Sequence, residues 1–266
     1  KSKRGLIIIL VVSIVIVGVF SLFIYRYSMA SKIKYVIEAG SVIQDVNRNY
    51  LTVEKDAEEQ VNAKGSDDAK RRSFGWTLTD LSKVASALGA GGIETEICQI
   101  GPKPISDCMA CMQCVKLGKC VIDDAVNEFV EKARQADGFV FGTPVYFAHP
   151  SGRILSFLDR AFYSGKSAFL FKPGASIAVA RRGGTEAAFD VLNKYFTISS
   201  MPVVSSTYWN NVFGANGEDA LQDAEGMAVM ENLGNNMAWM LKCIQAGKAQ
   251  GITPPEQTKA RTNFIR

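Results

Sequence analysis

The chain is poor in features that would fix its chemistry at once. It has one histidine, His149, among 266 residues, shows no internal repeat, and carries a formal net charge of only +4. A charge that mild gives no case for a nucleic-acid partner. A lone imidazole is read as a satisfied loop residue rather than a proton donor, so no side chain is assigned a catalytic role. Disorder and fibrous structure are excluded too, because 47% of the residues are hydrophobic and 21% are charged.

Charge is missing altogether from residues 5–25, a continuous apolar run of 21 residues. At about 1.5 Å per residue, a helix of that length matches the roughly 30 Å core of a bilayer. A cleavable signal peptide has a shorter apolar core of about 7–15 residues, so a retained single-pass anchor over residues 1–30 is expected. Lys1, Lys3 and Arg4 before the run balance Arg26, Lys32 and Lys34 after it. The positive-inside rule therefore sets no orientation.

Residues 33–41 read as a short strand, and 42–72 as a polar linker or exposed helix. The 31–72 stretch is thus a linker, or an atypical first strand followed by an insertion. From residue 73 the pattern becomes regular. Helical stripes are predicted over 77–88, 124–135, 153–163, 186–196 and 225–246. Strands are predicted over 93–100, 138–142, 175–180 and 202–205. Strands apolar on both faces that alternate with helices point to a doubly wound α/β domain with a parallel sheet. Ligands of such sheets sit beyond the carboxyl ends of the strands.

Four of the six cysteines, Cys108, Cys111, Cys114 and Cys120, fall within thirteen residues with spacing C-x2-C-x2-C-x5-C. Disulfides are disfavoured at that spacing, which suits chelation. Overlapping pairs resemble the thiolate run around a [4Fe–4S] cluster more than the two separated pairs of structural zinc. Zinc and a metal-free redox loop remain open alternatives. Cys98 and Cys243 are read as small core residues.

Three further stretches suggest a cofactor edge. Residues 142–147, GTPVYF, follow an apolar strand and offer backbone groups beside two aromatic rings; a simple turn with core aromatics is the equal alternative. Residues 181–184, RRGG, follow the next apolar strand. Residues 72–77, RSFGWT, precede a helix whose N-terminus would favour a phosphate. Asp159 and Arg160, in the helix predicted over 153–163, are read as a structural salt bridge or cap.

From about residue 75 onward the chain resembles the flavodoxin-fold NAD(P)H-dependent FMN reductases, and within them the iron–sulfur flavoproteins. The stretches that carry the resemblance are CMACMQCVKLGKC, ADGFVFGTPVYFAHPSGRILSFLDRAF, RRGGTEAAFDVLNKYFTISSMPVVSSTYWN and TNFIR. It implies a flavodoxin-like, five-stranded parallel sheet, bound FMN, and a [4Fe–4S] cluster on the four cysteines. NAD(P)H would be the co-substrate, the electron acceptor is left unidentified, and the protein would be a homo-oligomer or part of a membrane complex. By the same resemblance Thr143, Pro144, Val145, Tyr146 and Phe147 border the flavin ring, with Arg181, Gly183 and Gly184 on its other edge. Arg72, Ser73, Gly75 and Thr77 are remnants of the phosphate loop. The departure is at the start: no strongly apolar strand runs straight into that loop, and residues 33–41 are the candidate for it.

The chain is thus expected to be an oxidoreductase passing electrons from NAD(P)H through FMN. A membrane-tethered electron-transfer module and a cofactor-free assembly subunit are the alternatives. Cysteine thiolates suit a reducing compartment, so the soluble domain is expected on the cytoplasmic side.

Overall fold

Stretches that are apolar on both faces become the inner strands. In the computed structural model, residues 32–37, 68–100, 103–258, 260 and 262 are described, with only the backbone of 32–37 and 68–76. β1 is Lys32–Ile37, α1 Asp68–Ala90, β2 Glu94–Gln99 and α2 Cys114–Leu117; α3 is Ala125–Gln135, β3 Gly138–Tyr146, β4 His149–Pro150 and α4 Gly152–Gly165. A 3₁₀ turn, Lys166–Ala168, leads to β5 Gly174–Ala180, α5 Thr185–Thr197, β6 Asn211–Phe213, α6 Gly217–Gln222 and α7 Ala224–Ala249.

The sheet order is β2-β1-β3-β5-β6, the order of flavodoxin-type sheets. Neighbours along it are parallel, with Ile33 opposite Gly138 and Val140 opposite Ala175. The first strand is therefore the one the sequence left in doubt: β1 lies between β2 and β3. The apolar run over residues 5–25 and the polar stretch 42–67 lie outside the described residues. Among the described residues, no helix is long and apolar enough to cross a membrane.

Period-2 alternation divides the core between two faces of the sheet. Val140 packs in one cluster with Leu81, Val84 and Leu88 of α1 and Leu233 and Met237 of α7. Phe139 and Phe141 point into the other, with Phe129 of α3, Phe157 and Phe162 of α4, and Phe196 of α5. Phe141 stacks on Phe196 at 5.3 Å between ring centres, and Phe162 on Phe169 at 4.2 Å. Each fully buried phenylalanine contributes about 1.5–3 kcal/mol of hydrophobic stabilisation. The close approach of α1 to β3 depends on Gly142, where a Cβ would fall 2.6 Å from Leu81 Cδ1.

Four expectations are corrected. The sheet is mixed rather than wholly parallel, because β4 folds back antiparallel on β3. The strand expected over 202–205 is a single bridge, Gly174 to Val203, and the edge strand forms later, at Asn211–Phe213. The segment 72–77 does not precede its helix. The helix starts at Asp68, since no proline interrupts the run and one glycine does not stop a helix. Cys243, expected in the core, is exposed, whereas Cys98 is half-buried and packs against the core.

Candidate functional site

The carboxyl ends of β3 and β5 bring together two of the three segments singled out in the sequence. Residues 143–146 are not a loop: β3 continues through them. Thr143 and Pro144 are buried, Val145 is half-buried, Tyr146 is exposed, and Phe147 is fully exposed. The strand turns on Phe147 and Ala148, with Tyr146 opposite His149. Both turn residues have positive φ, 51° and 58°, the backbone of a type I′ hairpin. Non-glycine residues in that region carry strain of order 1–2 kcal/mol each. Such outliers cluster where a ligand is gripped.

The hairpin tip rests on the second segment. Gly184 has φ +90°, and a Cβ there would lie 2.6 Å from the Cα of Ala148 and 3.2 Å from Val145 Cγ1. Arg181, Arg182 and Gly183 are exposed beside it. Thr143 Oγ1 accepts the amide of Ser151 at 3.1 Å, tying the start of α4 to β3. The hydroxyls of Ser151 and Thr185 are buried with no hydrogen-bond partner. An exposed aromatic ring beside exposed guanidinium groups fits a flat, anionic cofactor such as FMN.

The third segment does not join this arrangement as a loop. Amides at the fifth helical position and beyond donate to carbonyls four residues back. Those of Arg72, Ser73, Gly75 and Thr77 are therefore engaged within α1. Thr77 is fully buried, with its hydroxyl unpartnered.

The cysteine segment occupies a separate place, against α4. Cys108, Cys111, Cys114 and Cys120 line one recess together with Arg160 and Tyr163, and none is in a disulfide. Ala110 and Met112 have positive φ, at 51° and 57°, which lets the loop reverse between thiols. Asn127 clamps its far end, accepting the Cys120 amide at 3.0 Å and donating to the Cys120 carbonyl at 3.0 Å. Four thiols around one recess are a suitable donor set for an iron–sulfur cluster. They are not drawn together in advance: among the described residues no three acidic, histidine or cysteine side chains form a metal-binding group.

Arg160, read from the sequence as part of a structural salt bridge or cap, is in a salt bridge, but its place beside the cysteine loop was not foreseen. It is 1% exposed and pairs with Asp124 through both terminal nitrogens, at 2.7 and 2.8 Å. It does not pair with its neighbour Asp159, which accepts instead from the Tyr195 hydroxyl. Burial opposes the guanidinium charge, but bonds to Asp124 and Cys120 outweigh it and raise the pKa further. The helical spacing of Arg160 and Tyr163, three apart on one face of α4, was the signal available.

A doubly wound sheet in the order β2-β1-β3-β5-β6 defines the flavodoxin-like class of α/β folds. The chain is similar over residues 68–215 to the model of the NADPH-dependent FMN reductases, and it belongs to that family. It is 32% identical over 183 residues to an iron–sulfur flavoprotein of Methanocaldococcus jannaschii, covering 65% of this chain and 94% of that one. It is 30% identical over 162 residues to the iron–sulfur flavoprotein of Methanosarcina thermophila, covering 59% and 83%. Among solved structures, a flavodoxin, WrbA-like protein of Agrobacterium tumefaciens matches with a TM-score of 0.50 at 14% identity, over 80% of this chain and 99% of that one. RosB, with a bound flavin intermediate, matches with a TM-score of 0.51 at 14% identity, over 89% and 93%. The structural matches carry the fold alone. The protein is a flavin-dependent oxidoreductase with FMN as its cofactor.

Proposed function

We propose that this oxidoreductase takes electrons from NADPH or NADH into FMN held at the carboxyl edge of β3 and β5, and delivers them through a [4Fe–4S] cluster to a separate acceptor. The observation that carries the reading is the contact of Ala148 with Gly184, which joins the hairpin over 143–148 and the turn over 181–184 into one edge. Thr143, Pro144, Val145, Tyr146 and Phe147 form one wall, with Phe147 presenting an open ring. Arg181, Gly183 and Gly184 form the other, and fixed positive charge there favours an electron-rich, anionic ligand. FMN, when bound, supplies two-electron exchange with a nicotinamide and one-electron exchange with a metal centre.

Cys108, Cys111, Cys114 and Cys120 are the proposed cluster ligands, supported by their spacing and their shared recess. The names of the archaeal relatives support the same assignment. The apolar run over residues 5–25 is proposed to tether the domain to a membrane, with the domain on the cytoplasmic side. Assembly as a homo-oligomer or within a membrane complex belongs to the same proposal.

The test is anaerobic absorption spectroscopy on the full chain. Stoichiometric FMN, with iron and sulfide near four per chain, and rapid bleaching by NADPH or NADH are expected. Bleaching by dithionite alone would defeat the nicotinamide step and leave an electron-transfer module. Zinc in place of iron would defeat the cluster.

A further inference from the structure

We propose that Arg160 is the positioning residue of the cysteine site: it fixes Cys120 as the fourth ligand and, through its Nε–H, stabilises the reduced centre. The proposal rests on the reading that the four cysteines hold an iron–sulfur cluster, and it goes beyond that reading by naming the residue that tunes the cluster.

The guanidinium divides its five donors between two tasks. Its terminal nitrogens hold loop backbone and Asp124: Nη1 donates to the Ser106 carbonyl at 3.4 Å and to Asp124 at 2.7 Å, and Nη2 to the Ile122 carbonyl at 2.9 Å and to Asp124 at 2.8 Å. Ser106 and Ile122 lie on either side of the cysteine segment, so one side chain staples the two ends of the loop. Nε is left over, and it donates to Cys120 Sγ at 3.3 Å. A buried ion pair with Asp124 alone does not need this third direction. The rigid planar fork of arginine provides it, and lysine cannot reproduce it. Asp124 is itself anchored as the N-cap of α3, accepting the Val126 amide at 3.1 Å. The sulfur, the guanidinium and the helix start are thereby held in one network.

Addition of one electron to a four-thiolate iron–sulfur centre increases its negative charge. A nearby cation and an N–H donated to one sulfur stabilise the reduced form more than the oxidised form. They therefore raise the reduction midpoint.

The experiment uses the full chain, reconstituted anaerobically with ferric iron, sulfide and dithiothreitol, the thiol supplying the electrons that bring the iron to the level of the oxidised cluster. Iron per chain is measured, and the midpoint is followed by electron paramagnetic resonance during titration with dithionite, which donates the electron. Arg160→Gln removes the charge and the N–H. Arg160→Lys keeps the charge and loses the Nε geometry. Asp124→Asn breaks the ion pair but preserves an N-cap and the Nε–H. For Arg160→Gln we expect either a reduction equilibrium at least tenfold less favourable, equivalent to a midpoint about 59 mV lower for one electron, or loss of iron. Arg160→Lys should fall between it and the wild type, and so should Asp124→Asn, which loosens the guanidinium but keeps the Nε–H and its charge. Folded Arg160→Gln and Arg160→Lys proteins with wild-type iron and midpoint would overturn the proposal. Iron loss in Asp124→Asn equal to that in Arg160→Gln would also overturn it, by reducing Arg160 to a loop staple. A wild-type chain that takes up no iron would overturn the underlying cluster reading instead, and it is recognised before any variant is compared.

Discussion

Replacing Gly184 with alanine should cripple FMN binding while leaving the sheet intact. Two effects add. At φ +90° an L-residue is strained, by about 1–2 kcal/mol. The new Cβ would meet Ala148 Cα at 2.6 Å, Ala148 Cβ at 2.8 Å and Val145 Cγ1 at 3.2 Å. The first two separations are shorter than carbon atoms tolerate, and overpacking of this kind costs about 1–3 kcal/mol. The neighbour that must yield is the backbone of a hairpin already held at positive φ, not the flexible end of a side chain. The hairpin and the turn over 181–184 should therefore separate. If about 2 kcal/mol of that strain is relieved only in the ligand-free state, FMN affinity falls roughly 30-fold. The assay is a titration of flavin-free protein with FMN, followed by quenching of flavin fluorescence, with a thermal melt on the same samples. Gly89→Ala is the control. Gly89 lies within α1, and a Cβ added there would meet nothing within 4 Å, so alanine should leave FMN affinity unchanged. A Gly184→Ala protein that melts earlier yet binds FMN within twofold of wild type would refute the claim that this contact shapes the flavin site.

Two further predictions concern buried charge and pH. Asp80 is fully buried on α1, its carboxylate oxygens without a hydrogen-bond partner. Burial, and then the charge of Asp223, raise its pKa well above the usual carboxylate value. Its stabilising contribution is complete below the unfolded carboxylate pKa and is lost as pH rises through the raised folded value. Asp80→Asn should therefore gain stability relative to wild type as pH rises toward neutrality, by on the order of 1–3 kcal/mol; denaturant melts at several pH values read this, and a constant difference would refute it. Lys172 has the opposite sign. Burial lowers its pKa from 10.5 to about 8, so stability should increase between pH 8 and 10.5 as the folded state releases its proton first. The rise should be on the order of 2 kcal/mol after allowance for partial exposure, and Lys172→Met should flatten it, whatever that variant does to stability at a single pH.

Much of the frame was legible because burial on both faces leaves an unmistakable pattern. The runs GFVFG and ASIAVA are continuous and apolar, and both became inner strands. The helix over 124–135 was legible from a stripe of Ala125, Phe129, Val130 and Ala133, and in the structure it starts at Ala125 with Asp124 as its cap. The errors arose where local chemistry says little. Residues 202–205 are as apolar as a strand, yet the chain pairs there at one residue only and forms its edge strand at 211–213, from a segment with no strong period. Edge strands pair on one side, so their sequence is only weakly constrained.

The two segments proposed for the flavin site were legible as strand ends, but their contact was not. Thr143 to Phe147 and Arg181 to Gly184 were found as two strand-end segments. That they touch depends on a two-residue turn built from phenylalanine and alanine, where turn chemistry favours glycine or asparagine. A sequence that spends strain on such a turn hides the hairpin from any reading based on turn preference, and the same strain marks the hairpin as a place where shape matters more than stability. Arg160 was hidden differently. Beside Asp159 in the chain it reads as half of a local ion pair. The fold sends the two side chains apart, Asp159 to Tyr195 on α5 and Arg160 to Asp124 and Cys120. Adjacent residues on a helix point about 100° apart, so nearness in sequence argued against the pairing it suggested. With its terminal nitrogens on Asp124, the Nε–H of Arg160 is left to donate to Cys120 in the cysteine loop.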